Sequence, residues 1–213
     1  MTQETIFVLR HGERIDYVDP GWKSKNTDCS VDDPPLAPKG HVQAKEVAAR
    51  LSDERIDYVI SSPYLRCVET ANYIAETHKK PIFVEPGICE VMWDVPGYKS
   101  ARDLQKRFPS IDLTYNPVLI PQQLESHDGD CIRRVVPCAR QLQQRFRGSN
   151  LLLVGHGASV AGILKAFTGQ AAYVGLCTLS KLVNKGTVES PVWKAECMGD
   201  SSHLSDKSNL RAY

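Results

Sequence analysis

Two short stretches, far apart in the chain, constrain what it can fold into. Ile6-Phe7-Val8-Leu9 runs straight into Arg10-His11-Gly12, and Leu151-Leu152-Leu153-Val154 runs into Gly155-His156-Gly157. A continuous apolar run ended by a glycine-bearing turn reads as a strand buried on both faces. Two such strands in one parallel sheet bring their histidines to the same carboxyl edge. Open α/β sheets bind ligands in the crevice outside that edge. With arginines beside the histidines, the arrangement points to phosphoryl transfer through a histidine.

The intervening sequence alternates strand and helix, as a mostly parallel sheet requires. Strands are expected at 5–9, 57–61, 82–85 and 150–154. Helices are expected over Pro38–Leu51, with Val42, Val47, Ala48 and Leu51 near a helical period, over 64–76, with Leu65, Val68, Ala71, Tyr73 and Ile74 as core positions, and over 158–167. Strands at 176–183 and 187–193 would form a hairpin across Asn184-Lys185-Gly186, giving the sheet an antiparallel edge. The expected class is therefore a three-layer α/β/α fold. Its 213 residues fit one domain. Two polar, Gly- and Pro-bearing stretches, 16–35 and 93–128 (the second containing Pro96), read as insertions covering the crevice, and 199–213 as a polar, mobile tail.

Bulk properties exclude several functions. The formal net charge of +1 gives no global field for nucleic acid or an anionic membrane, so any anion site must be local. No apolar run of 18 residues and no basic-then-apolar leader is present, so neither a membrane span nor secretion is expected. The seven cysteines, Cys29, Cys67, Cys89, Cys131, Cys138, Cys177 and Cys197, are odd in number and contain no CxxC pair. They read as reduced thiols of a cytoplasmic protein, with no disulfide framework and no zinc site.

Four segments carry candidate chemistry. A nucleophilic histidine must be neutral, and Arg10 and Arg14 flank His11 closely enough to depress its pKa while offering fork-shaped donors to phosphate oxygens. Ser62-Pro63-Tyr64-Leu65-Arg66 opens a helix after the second strand, which puts Arg66 in its first turn at the same sheet edge; on its own, Arg66 reads equally as a solvent-facing residue. Gly155-His156-Gly157 sets His156 at a helix N-terminus, where backbone N–H groups favour an anion. Glu90 follows the third strand and is placed to protonate a leaving oxygen and then activate water.

This set resembles the histidine phosphatase superfamily, the phosphoglycerate-mutase-like enzymes. It matches that family's Arg-His-Gly turn, its Ser-Pro-x-x-Arg-x-x-x-Thr segment (here Ser62 to Thr70), its glutamate (Glu90), its Gly-His-Gly turn and, in Leu36 to Ala44, the opening of its first helix. Arg10 to Arg14 (Arg-His-Gly-Glu-Arg), Leu65 to Ala71, Val84 to Glu90 and Ile111 to Pro117 are most similar to the phosphatase domains of the suppressor-of-T-cell-receptor-signalling (ubiquitin-associated and SH3-containing) proteins and of ecdysteroid-phosphate phosphatase. Mutases of the superfamily carry serine where Arg14 stands.

The resemblance implies His11 as nucleophile, Glu90 as proton donor, and Arg10, Arg14, Arg66 and His156 as ligands of the phosphoryl oxygens. It implies no metal and no cofactor. It also implies a phosphorylated substrate, either a phosphoprotein of the phosphotyrosine type or an apolar small-molecule phosphate, with Tyr17, Trp22, Trp93 and Tyr98 as candidate apolar lining. Relatives often dimerise, so a homodimer is an expectation without a sequence feature of its own. The alternative enzyme is a phosphoglycerate mutase or sugar-bisphosphate phosphatase, whose second phosphate would need Lys99, Arg102, Lys106 and Arg107. The alternative from another class is a non-catalytic phosphoprotein-binding module, which intact His11 and Glu90 disfavour.

Overall fold

The computed structural model describes residues 4–25, 30, 32–94 and 97–211. Cys29 and Pro96, named above, lie outside them. A six-stranded sheet is built from β1 (Thr5–Arg10), β2 (Tyr58–Ser61), β3 (Ile82–Val84), β4 (Leu151–Gly155), β5 (Leu179–Asn184) and β6 (Trp193–Asp200). Their spatial order is β3-β2-β4-β1-β5-β6. The four strands from β3 to β1 run parallel, β5 runs against β1, and β6 runs against β5.

Alternation along the strands divides the core into two layers. Phe7, Leu9, Val59, Leu152 and Val154 face α2 (Pro38–Leu51) and α3 (Leu65–His78), while Ile6, Val8, Ile60, Leu151 and Leu153 face α5 (Asp128–Arg145) and α6 (Gly157–Thr168). Successive side chains of a strand point to opposite faces, so a strand covered on both sides must be apolar throughout. Two short helices, α1 (Trp22–Lys25) and α4 (Ala101–Gln105), lie in the two insertions. Among the described residues no helix is long and apolar enough to cross a membrane.

Several expectations need correction. Residues 187–192 are not strand: they belong to the hairpin's long loop, where the Asn184 carboxamide oxygen accepts from the backbone N–H groups of Gly186 and Val192. The returning strand is Trp193–Asp200, and β5 begins at Leu179 rather than 176. Val42 points to solvent at 49% exposure, because the buried face of α2 runs through Gly40, Gln43, Ala44, Val47 and Leu51. The 18-residue helix α5 went unread despite Cys131, Val135, Cys138 and Leu142 at helical spacing on its buried face. Gly129, an internal Pro137 and a high density of arginine and glutamine obscured that period.

The segment after Gly199 makes contacts that its polar composition did not announce. Leu204 is buried, Leu176 N–H donates to the Leu210 carbonyl, and an Arg10 guanidinium nitrogen donates to the Arg211 carbonyl. The second insertion is fastened by Glu85, whose buried carboxylate accepts from Gly87 N–H, Tyr115 Oη–H and the N–H groups of Val118 and Leu119.

Candidate active site

Register assembles the site. Arg10 pairs with Gly155 across β1 and β4, and Ser61 pairs with Val154 across β2 and β4. The next residues, His11, His156 and Ser62, therefore leave the sheet side by side. The His11 N–H donates to the Gly155 carbonyl at 3.0 Å, and the Ser62 N–H to the Val154 carbonyl at 3.0 Å. The two imidazoles meet edge to face with centroids 5.3 Å apart.

His11 Nδ1 is 2.7 Å from the Gly12 carbonyl oxygen. A carbonyl only accepts, so Nδ1 carries the proton and Nε2 keeps its lone pair. Burial, then the charges of Arg66 and Arg10, hold the His11 pKa well below its ordinary value; the Gly12 carbonyl opposes them and Arg14 adds to them. His156, fully buried, is depressed in the same way by burial first and then by Arg66, His11, Arg14 and Arg10. Its Nε2 lies 2.7 Å from Ser62 Oγ, and its backbone N–H donates to Ser159 Oγ at the start of α6.

The arginines differ in their ties. Arg66, 2% exposed in the first turn of α3, has no hydrogen-bond partner at Nε or Nη1 among the described residues, and Nη1 stands 3.8 Å from the buried Asp33 carboxylate. Arg14 grips Asp16 through both Nε and Nη2 and lies over the Tyr17 ring. Arg10 donates through Nη1 to the Val174 and Arg211 carbonyls. Glu90 is partly exposed, with one carboxylate oxygen 3.9 Å from His156 Nδ1.

A cavity of about 330 Å³ is lined by Arg14, Tyr64, Arg66 and Glu90 together with Lys23 and Asp32 of the first insertion and Trp93, Asp94 and Gly97 of the second. Of the candidate aromatic residues, Trp93 lies at this cavity and is 62% exposed. Trp22 is buried, Tyr98 packs edge-on to Tyr64, and Tyr17 stacks against Arg14 and Arg211. Lys99, Lys106 and Arg107 line a separate cavity, Lys106 pairs with Asp103, and Arg107 is tied to Glu69.

Sequence reasoning missed Asp33, whose carboxylate also accepts from the Leu65 N–H and so caps α3 from the first insertion. Burial pushes its pKa up to about 6, against the opposing pull of Arg66, the Leu65 N–H, Lys99 and Arg14. An aspartate in an irregular polar stretch carries no local signal that it will end beside an arginine 33 residues on. Thr70, quoted only as part of a motif, accepts from the Gly12 N–H and donates to the Arg66 carbonyl, linking the nucleophile turn to α3.

The histidine phosphatase superfamily (branch 1) matches residues 6–177. The chain belongs to that superfamily. It is 28% identical to ubiquitin-associated and SH3 domain-containing protein B of Homo sapiens, over 85% of this chain and 36% of that protein. The match thus spans little more than a third of the human relative. It is 27% identical to a probable phosphoglycerate mutase GpmB of Serratia proteamaculans, over 93% of this chain and 94% of the relative. In fold it superposes on the ecdysone phosphate phosphatase of Bombix mori, solved with tungstate, with a TM-score of 0.75 at 22% identity, over 92% of this chain and 93% of that one. The family and the phosphoglycerate-mutase-like fold expected from the motifs are therefore those of the protein.

Proposed function

We propose that the chain is a metal-independent phosphomonoester hydrolase acting through a phosphohistidine on His11. The observation that carries this reading is His11, its Nδ1 2.7 Å from the Gly12 carbonyl, edge to face with His156 and within the field of Arg66, Arg10 and Arg14. His11 Nε2 attacks phosphorus, the bond to the ester oxygen breaks, and Glu90 gives its proton to the leaving oxygen. Water then attacks the phosphohistidine, Glu90 takes the water's proton, and the P–N bond breaks to release phosphate. Splitting hydrolysis at one nucleophile replaces a hard step with two easier ones. Preplaced guanidinium donors stabilise the charge that grows on the equatorial oxygens.

The substrates we propose are phosphotyrosine-type or apolar small-molecule phosphates. The cavity's rim of Trp93, Met92, Val91 and Tyr64 supports an apolar or aromatic leaving group. A mutase reading would need a second phosphate site facing the first, whereas Lys99, Lys106 and Arg107 line a different cavity.

Rapid quench with an aryl phosphate, in the presence of EDTA, tests the proposal. It predicts an acid-labile phosphoenzyme in the native protein and none in His11→Ala. Turnover by that variant at the native rate overturns it. So does activity that requires a bisphosphorylated primer.

A further inference from the structure

Glu90 has no regular secondary structure to hold it. It follows a single 3-10 turn, Pro86–Ile88, in a stretch with no ladder partner, yet its carboxylate faces His156. The Val91 N–H donates to the Glu90 carboxylate at 3.1 Å and the Gly87 N–H to Glu85 at 2.9 Å, and one guanidinium ties the backbone between them to the helix layer. Arg134, on α5, donates from Nη1 to the Gly87 carbonyl at 2.8 Å and from Nη2 to the Cys89 and Glu90 carbonyls at 3.3 and 3.0 Å. Its Nε and Nη2 also donate to the two carboxylate oxygens of Glu125, at 2.6 and 2.9 Å. Glu125 in turn accepts from the Met92 N–H, and its own N–H donates to the Met92 carbonyl. Both side chains are nearly buried, at 9% and 7% exposure. The pair therefore grips the backbone on both sides of Glu90 from residue 87 to 92, and Glu90 itself through its carbonyl.

The same helix is locked to the one that carries His156. A Cβ at Gly162 of α6 would stand 2.9 Å from Val135, the neighbour of Arg134, so only glycine lets α5 approach this closely. Glu90 and His156 are thus referenced to one rigid two-helix layer.

We propose that Arg134, held by Glu125, is the positioning residue that fixes Glu90 against His156, on the reading of Glu90 as the proton donor. A planar fork can satisfy three carbonyls and a carboxylate at once, which a point-charge ammonium cannot. Misplacing a catalytic group by about 1 Å costs on the order of 10²-fold in rate.

The test compares 2,4-dinitrophenyl phosphate, whose leaving group needs no proton, with phenyl phosphate, whose leaving group does. Variants are Arg134→Met, Arg134→Lys, Glu125→Gln and Glu90→Gln in the full chain. Glu90→Gln is expected to lose kcat/KM, which reports the phosphorylation of His11 and not the later attack of water, selectively on phenyl phosphate. Arg134→Met should reproduce that selectivity, by about 10²-fold, with Arg134→Lys and Glu125→Gln in the same direction and smaller. The lysine and glutamine variants keep the experiment decisive if Arg134→Met does not fold. Equal losses on both substrates in the Arg134 and Glu125 variants, or no loss, overturn the positioning role while leaving a selective Glu90→Gln result intact. A Glu90→Gln variant without selectivity overturns both the proton-donor reading and the proposal.

Discussion

The Gly12 carbonyl oxygen stands 2.7 Å from Nδ1 of His11, the residue that precedes it. This one contact sets the tautomer of the proposed nucleophile, and burial with three nearby guanidinium groups keeps the ring uncharged. Histidine-selective ¹⁵N NMR should show His11 still in the neutral Nδ1–H form at pH 6, where a free imidazole is mostly protonated. The sign follows from the direction of the shift: a depressed histidine stays neutral through the range in which a free imidazole, near 6.5, gains its proton. An imidazolium signal for His11 at pH 6 would contradict the site as described.

Arg66 brings unsatisfied donors into the site. Its Nε and Nη1 are buried without a hydrogen-bond partner among the described residues, an arrangement that an anion's oxygens would complete. Arg66→Ala should lower kcat by about 10²–10³, the usual loss for one preorganised donor. Arg66→Lys should restore little, because the fork geometry is lost. Steady-state kinetics on one aryl phosphate decides it, and near-native kcat in the lysine variant counts against a geometric role.

Asp33 opposes anion binding when it is ionised, since its carboxylate lies 3.8 Å from Arg66 Nη1. Its pKa is raised to about 6, so it is mostly charged at pH 7.5 and mostly neutral at pH 5. Sulfate keeps a constant double charge over this range and isolates the effect. Inhibition by sulfate should tighten several-fold from pH 7.5 to 5 in the native protein. In Asp33→Asn, which keeps an acceptor for the Leu65 N–H, it should be tight and flat. The other charged groups near Asp33 are Lys99, Arg14 and Glu69, which is tied to Arg107 and whose own pKa burial raises. Parallel pH profiles in the two proteins would rule Asp33 out.

Gly12 and Gly40 let the nucleophile turn and α2 touch backbone to backbone. A Cβ on Gly12 would meet the Gly40 carbonyl oxygen at 2.7 Å, and one on Gly40 would press into the Glu13 backbone. Gly40→Ala should destabilise the fold by about 1–3 kcal/mol, as overpacking does, and should also reduce kcat, since the turn it displaces carries His11. Urea unfolding and kinetics on the same preparation check both. A variant as stable and as active as the native protein would show that the contact has slack.

Residues 6–9 and 151–154 were legible as strands because a strand covered on both faces must be apolar throughout, and Pro38–Leu51 was legible as a helix from its N1 proline and its period. Arg10, His11, Arg66 and His156 were legible because each stands at a strand end or at the start of a helix, where local sequence already fixes direction. Glu90's setting was not. What steadies it, Arg134 and Glu125, comes from a helix and a loop 44 and 35 positions later, and neither residue differs locally from an ordinary surface charge.

The sequence by itself determined the sheet's parallel strands, the two histidine turns and the family they belong to, since these depend on residue type and short spacing. Only the tertiary structure decided which carbonyl sets the His11 tautomer, which carboxylate sits against Arg66, and which guanidinium holds the Glu90 backbone. The first depends on how the turn after β1 is packed, and the other two join buried polar groups distant in the chain. Their strength comes from exclusion of water, a property of the packed molecule and of no segment within it.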